Sequence, residues 1–226
     1  LNDQATAQAV RAERACLAEL DGSCRTPLAG WARSVGRPGW LKLTAFAGAH
    51  RIPVVETIAG RANMLQAHAL NIGPVGVTGS DSANAIAEQA DVILAVGTRL
   101  QDFTTGSWTA FAKDARIIGL NVGRHDAAKH LSLPVVGDAR LGLEALGAQV
   151  NDYAAPSPWT DGAQDLRRKW VAYTDDITTP GNGPNSYAKA IRVVNELCDP
   201  RDRVVAAAGG LPAEVTAHWQ ATDIGT

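Results

Sequence analysis

Cysteine is scarce in this 226-residue chain, which has three: Cys16, Cys24 and Cys198. An odd, widely spaced set excludes a disulfide framework, and the lack of any Cys-x-x-Cys pair excludes the usual zinc spacings. Such cysteine usage fits a reducing compartment, so a cytoplasmic location is expected. A dominant charge is lacking too. The 21 Lys and Arg are interspersed with 23 Asp and Glu, leaving a formal net charge of -2. No global field therefore recruits nucleic acid or an anionic membrane. No apolar run reaches bilayer length, and the N-terminus lacks the basic-then-apolar plan of a signal peptide. There is no internal repeat and no low-complexity tract. Nucleic acid and membrane are thus excluded as expected partners.

What is present suffices for one large domain or one and a half small ones, at 46% hydrophobic residues. The chain starts Leu-Asn-Asp and stops at Asp-Ile-Gly-Thr, and either end reads as a cut. Residues 3–20 read as a helix capped by Asn2 or Asp3, with Val10, Leu17 and Leu20 in a stripe and Asp21-Gly22 as the stop. The stretch RTPLAGWARSVGRPGWLKL, rich in proline and glycine, reads as a loop or join with a composition boundary in it.

After Thr44 the pattern changes. RIPVVET, PVGVTG, DVILAVGT, RIIGLNV and LPVVGD are short β-branched runs, each closed by Gly, Thr or Asp. Helical patterns such as SDSANAIAEQA and ARLGLEALGAQV lie between several of them. Continuous apolar strands alternating with helices predict an α/β fold, a parallel sheet flanked by helices and buried on both faces. A Pro/Ser/Asp-rich bridge at 151–162 leads to a helix with Leu166, Trp170, Tyr173 and Ile177 on one face. Beyond the connector TTPGNGPNS, Asn185-Ser186 caps a helix carrying Tyr187, Ile191, Val194 and Leu197, which Pro200 ends. RVVAAAGG reads as a new strand running into a Gly-Gly turn. The expected organisation is a helix-loop segment with its join (1–43), an α/β domain (44–150), a helical linker (151–200) and the truncated start of a second α/β domain (201–226).

Three motifs carry possible chemistry. Glycines 73, 76 and 79 in GPVGVTGSDSANAIAEQA precede a helix that Ser80 or Asp81 could cap. A glycine turn feeding a helix can hold phosphate on bare amides, but the spacing is not the dinucleotide G-x-G-x-x-G and Asp81 would repel an anion. Tight strand–helix turning is the competing reading. VGTRLQDFTTGSW follows the best strand, and the carboxyl ends of parallel strands face a ligand crevice, so Arg99, Asp102, Thr104 and Thr105 are placed to meet a ligand. The alternative is an Arg99–Asp102 pair that orders a long loop. His125 and His130 are five apart, which on a helix turns them about 140° from one another, so they do not converge on one metal. Cys24, unlike Cys16 and Cys198, sits in a polar Gly-Ser loop beside Arg25, which favours an accessible thiolate.

Two resemblances follow. Residues 1–30, with Glu13-Arg14, LDGSC at 20–24 and TPLAG at 26–30, resemble the segment of porphobilinogen deaminase (hydroxymethylbilane synthase) that bears its cofactor. That likeness implies dipyrromethane attachment at Cys24, although the family's upstream catalytic domains are not in this sequence. From about Thr44 onward, RIPVVETIAGR, GTRLQDFTTGSW, VVGDARLGLEAL and VVAAAGGLPAEV resemble the thiamine-diphosphate (ThDP) enzymes. Within them, the resemblance is to the ring-opening hydrolases of myo-inositol catabolism, which act on 3D-(3,5/4)-trihydroxycyclohexane-1,2-dione. It implies a Rossmann-like central domain, a linker and the first strand of a diphosphate-binding domain. It also implies ThDP and magnesium in the parent enzyme and C–C hydrolysis of a cyclic 1,2-diketone, the cofactor carrying the chemistry.

The matched region contains no Gly-Asp-Gly followed at a distance by Asn; its nearest approach is Gly137-Asp138-Ala139. Glu56 does not match the family's activating glutamate. Gly209 and Gly210 match a turn near the cofactor and are the ThDP-adjacent candidates. Some relatives bind FAD in this domain, but RIIGLN ends in Asn121 where an acidic residue would meet the ribose, so FAD is not expected. The first central-domain strand is replaced, which leaves a sheet edge and an expected homo-oligomer. The overall expectation is a fragment or fusion of a ThDP hydrolase that is inactive as an isolated chain. The alternatives are a cofactor-carrying segment of the deaminase type, in tetrapyrrole synthesis, and a non-catalytic nucleotide-binding or oligomerisation module.

Overall fold

A computed structural model describes residues 38–181 and 183–223. Residues 39–226 cluster as one unit. The predicted helix at 3–20, the deaminase-like motif and Cys24 all lie outside the described residues.

The first element departs from the sequence reading. Residues 38–43, expected in a loop, belong to helix α1 (Pro38–His50). Proline is well placed at a helix start, where its missing N–H would have had no partner anyway. The Ala-rich run from Thr44 then propagates the helix. Next come β1 (Val54–Glu56), a 3-10 turn at Ile58–Gly60, β2 (Asn71–Pro74) and α2 (Asp81–Gln89). β3 (Val92–Val96), the short α3 (Asp102–Thr105), β4 (Arg116–Asn121), the short α4 (Arg124–Ala127) and β5 (Leu133–Val136) follow. The chain continues through α5 (Ala139–Val150), the long α6 (Ser157–Thr178), α7 (Tyr187–Leu197) and α8 (Gly210–His218). The predicted α/β architecture of parallel strands flanked by helices holds.

The strands form two parallel groups, β1-β2 and β3-β4-β5. Pro74 ends β2 with no N–H to give. The amides after it go to the Glu56 carbonyl (2.9 Å), the Asn84 side chain (2.8 Å) and the Phe103 carbonyl (2.8 Å), none of them in β3. Burial is also uneven. β2 is buried at all four positions, whereas β5 is exposed at all four, so the expectation of burial on both faces fails at that edge. No described element covers it.

The core lies around β1 and β2. Ala47 of α1 packs with Met64, Leu70 and Val54. Ile72 and Val55 meet Ile86 of α2 and Trp159, Ala163 and Leu166 of α6. A third group joins Val75 to Ala83, Ala87 and Phe111. Burying such side chains stabilises by about 1.5–3 kcal/mol each for the larger ones. In the other sheet, Gly119 of β4 lies so close to the Ala127 carbonyl of α4 that a Cβ would collide with it.

Two further expectations are corrected. RVVAAAGG forms no strand: residues 202–207 carry no regular structure and Val205 is 95% exposed. β-branched residues make a strand only where a neighbour accepts their hydrogen bonds, and no described segment pairs here. The expected stripe of α7 is mostly uncovered. Ile191 is buried, but Tyr187, Val194 and Leu197 are exposed, Leu197 by 81%. Tyr173 of α6 is exposed as well. No described helix is long and apolar enough to cross a membrane.

Candidate functional site at the strand ends

The carboxyl ends of β2, β3 and β4 open into loops that are stitched to one another. The glycine loop after β2 is closed rather than open to an anion. Asn84 exchanges two hydrogen bonds with Gly76, accepting from its N–H (2.8 Å) and donating to its carbonyl (3.0 Å). Ser80 caps α2 by accepting from the Ala83 amide (3.2 Å), and its hydroxyl donates to the Pro74 carbonyl (3.2 Å). Gly76 has φ +118, and a Cβ there would strike the Phe103 carbonyl. These glycines serve tight turning and close approach to α3, the competing reading in the sequence.

The predicted ligand residues divide. Thr104 and Thr105 are buried, and Thr105 Oγ1 accepts from the Trp108 amide (3.2 Å), so its hydroxyl belongs to the loop's own framework. Asp102 is exposed in the first turn of α3. Arg99 is 70% exposed and pairs with Asp126 at 3.8 Å, not with Asp102. Lys129 closes this group, contacting Asp126 at 2.8 Å and donating to the Arg99 carbonyl at 2.8 Å. Arg99 and Asp102 thus remain exposed while the threonines do not. Exposed pairs of this kind contribute little to stability.

Asn121 explains how the loops after β3 and β4 are held. Its side-chain amide donates to the Thr98 carbonyl (2.9 Å) and its Oδ1 accepts from the Gly123 amide (2.9 Å). Both ends of the amide are engaged inside the fold. His130, with φ 51, stacks on Trp108, whose own φ is 66. His125 sits in α4 on a different segment of backbone, and no described group of three His, Cys, Asp or Glu is placed to hold a metal ion.

Gly209 and Gly210 form the start of α8, outside these loops. Gly209 has φ 137 and offers no side-chain cap, and no acidic residue occupies the first turn. The helix start therefore presents backbone amides, but nearby carboxylates are committed elsewhere. Asp199 pairs with Arg201 (2.9 Å) and Asp202 accepts from the Asp199 amide (2.9 Å).

Sequence reasoning missed a buried ionic cluster at the end of β1. Glu56 is 3% exposed and contacts Arg61 at 2.9 Å. It also accepts from the Met64 amide (3.1 Å) and from Asn71 Nδ2 (3.4 Å). Burial pushes the Glu56 carboxyl up, and the Arg61 charge and these hydrogen bonds oppose that push. Burial lowers Arg61 in turn, opposed by Glu56. The cluster orders the 57–70 loop; Arg61 also donates to the Trp219 carbonyl at 2.5 Å.

Comparison with known families places this framework. Residues 39–146 match the thiamine pyrophosphate enzyme central domain. The strands, the stitched strand-end loops and most of α5 lie within that domain, and α6 to α8 follow it. The chain is 36% identical over 205 residues to the 3D-(3,5/4)-trihydroxycyclohexane-1,2-dione hydrolase of Geobacillus thermodenitrificans, covering 80% of this chain and 32% of that protein. Against the hydrolase of the same name from Bacillus licheniformis the figures are 33% over 232 residues, 89% and 36%. For that of Halalkalibacterium halodurans they are 30% over 212 residues, 79% and 32%. The chain spans about a third of the length of these relatives. The family match begins at residue 39, so it does not include the deaminase-like motif of residues 1–30.

Proposed function

We propose that this chain supplies the central domain and following helices of a ThDP-dependent hydrolase that opens a cyclic 1,2-diketone by C–C bond cleavage. The observation that carries the reading is similarity to relatives named for that activity over 80% or more of the chain for two of them, extending past the central domain into the helices after it. On this reading ThDP and magnesium supply the chemistry when bound, and the small-molecule substrate is the diketone. The residues of this chain act as framework. The Glu56–Arg61 cluster, the Asn84–Gly76 pair and Asn121 fix the strand-end loops, while Arg99 and Asp102 face the crevice.

The isolated chain is proposed to be inactive, because the sequence lacks the Gly-Asp-Gly…Asn pattern. Its setting is taken as cytoplasmic from its cysteine usage, and its exposed β5 edge supports association with further copies.

The test is a graft. The corresponding region of the Geobacillus hydrolase is replaced by residues 39–223, and ring opening is assayed with ThDP and magnesium beside the 226-residue chain alone. Activity in the folded graft, and none in the chain alone, is the expected result. A graft that folds and binds ThDP yet opens no ring overturns the assignment, and turnover by the chain alone overturns its inactivity.

A further inference from the structure

A cavity of about 130 Å³ lies between α6, α7 and α8, with Gln66 of the 57–70 loop at its wall. Arg167 and Trp170 are three residues apart on α6 and share a face. Trp170 stacks on His218 of α8, ring centroids 6.0 Å apart and planes 14° from parallel. Arg167 and His218 thereby line the same cavity. The far wall is fixed by Asn195 of α7, which accepts from the Gln220 amide (2.8 Å) and donates to its carbonyl (3.2 Å).

The two groups differ in what they lack: His218 a hydrogen-bond partner, Arg167 a countercharge. The His218 side chain is 6% exposed, with Nε2 3.0 Å from Glu214 Oε2, and its buried Nδ1 has no hydrogen-bond partner among the described residues. Arg167 has no carboxylate within ion-pair distance among the described residues. Its partners are neutral: the Gln66 carbonyl at 3.4 Å and, with the amide of Gln66 turned, that side chain's oxygen at 2.5 and 2.9 Å from its two terminal nitrogens. Arg192, on the opposite wall, is already satisfied by Asp175 (3.3 Å), Glu196 (2.9 Å) and Thr178 Oγ1 (3.1 Å). Both of those carboxylates are more than half exposed, so they lie toward solvent.

We propose that this cavity is a proton-linked binding site for a small oxyanion, a carboxylate or phosphate, held by Arg167 and His218. The fork of the planar guanidinium, held in the free site by the neutral Gln66 side chain, exchanges that amide oxygen for two oxygens of the anion. The imidazole completes the site when it is protonated. Its Nε2–H then donates to Glu214 and its Nδ1–H to the anion, which satisfies an atom that otherwise has no partner. The protein's own groups favour the neutral ring, since burial lowers the His218 pKa and Glu214 opposes this. Burial lowers Arg167 as well, the neighbouring Arg61 adds to that, and Glu56 opposes it. An anion reverses both effects by bringing negative charge to each group. Binding therefore takes up one proton from solvent and tightens as pH falls. The charged groups around the ring are Arg167 and Asp175 on α6, Arg192 and Glu196 on α7 and Glu214 on α8. Because Gln66, Arg167 and His218 come from three separate segments, an occupied site ties α8 to the loop of the central domain.

The test uses the full 226-residue chain at constant ionic strength in chloride. The His218 ring resonances are followed by NMR through a pH titration, with inorganic phosphate in one arm and malonate in the other. The expected result is an upward shift of the His218 titration with at least one anion, and several-fold tighter binding below its midpoint than above it. A response to phosphate alone, or to malonate alone, identifies the source of the oxyanion. R167Q is expected to bind at least tenfold more weakly. The proposal is overturned if neither anion moves the His218 titration beyond the chloride control, or if folded R167Q binds as the wild type does. Should R167Q fail to fold, the wild-type titration decides alone.

Discussion

Arg61 and Trp219 are 158 positions apart in the chain, yet Nη2 of the one donates to the carbonyl of the other at 2.5 Å. The same guanidinium holds Glu56 through Nη1. One side chain thus satisfies a buried carboxylate at the end of β1 and anchors the backbone just beyond α8. Taking a carboxylate out of water is costly, and the carboxylate is tolerated because Arg61, Asn71 and the Met64 amide all contact it.

Removing the guanidinium should therefore be more harmful than removing the pair. R61M leaves Glu56 charged, buried and short of its main partner, and is expected to cost about 3–5 kcal/mol. The double variant E56Q/R61M is expected to recover a substantial part of that loss, since no buried charge remains. Urea unfolding of the two variants measures the difference. An R61M variant within about 1 kcal/mol of wild type would show that the cluster is solvated and contributes little.

Strands β3, β4 and β5 were legible as short β-branched runs closed by a breaker, and they fall inside the segments DVILAVGT, RIIGLNV and LPVVGD. The run PVGVTG misplaced β2, which is Asn71–Pro74 and largely precedes it; the residues after Pro74 form the glycine loop. Helix α5 was legible to its boundaries: Asp138 accepts from the Leu141 amide as its cap. Ser186 does the same for α7 through the Lys189 amide. Helix α1 was not, because Pro38 and Gly39 read as breakers although proline suits a first turn. Val204 and Val205 misled in the other direction, since strand propensity has no effect without a partner strand. The exposure of Arg99 and Asp102 agrees with their place after a strand. Arg61, Arg167 and His218 were invisible because tertiary packing brings them to their partners from distant segments. A local signal did exist in Glu214 and His218, four apart on one helix face.

Asn121 ends β4 where ribose recognition is expected to need an acidic residue, and introducing one tests whether the residue's identity alone matters. In N121D a carboxylate would face the Thr98 carbonyl, which now receives the Asn121 amide. The lost donor and the opposed oxygens are expected to cost about 1–3 kcal/mol. FAD binding is expected to be no stronger in N121D than in wild type, because the oxygen that would meet a ribose is turned toward the Gly123 amide. Flavin fluorescence titration and urea unfolding measure the two effects. A folded N121D that gains saturable FAD binding would show that a single amide had kept the cofactor out.

His218 gives the fold a pH dependence of definite sign. Burial lowers its pKa below the ordinary value of 6.5, so the folded chain binds this proton more weakly than the unfolded chain. Its contribution to stability is complete above 6.5 and is lost as pH falls from there through the folded value. The slope in that window is at most about 1.4 kcal/mol per pH unit, the limit for one proton. Glu56 acts oppositely: its raised pKa makes stability fall as pH rises above 4.5. That contribution is common to wild type and H218Q and cancels in their difference. The stability of wild type relative to H218Q is therefore expected to decline as pH is lowered from 6.5, measured by urea unfolding at stepped pH in chloride. A difference that stays flat across that range would mean the ring titrates alike in the folded and unfolded chains, and its burial against Trp170 would then have no electrostatic consequence.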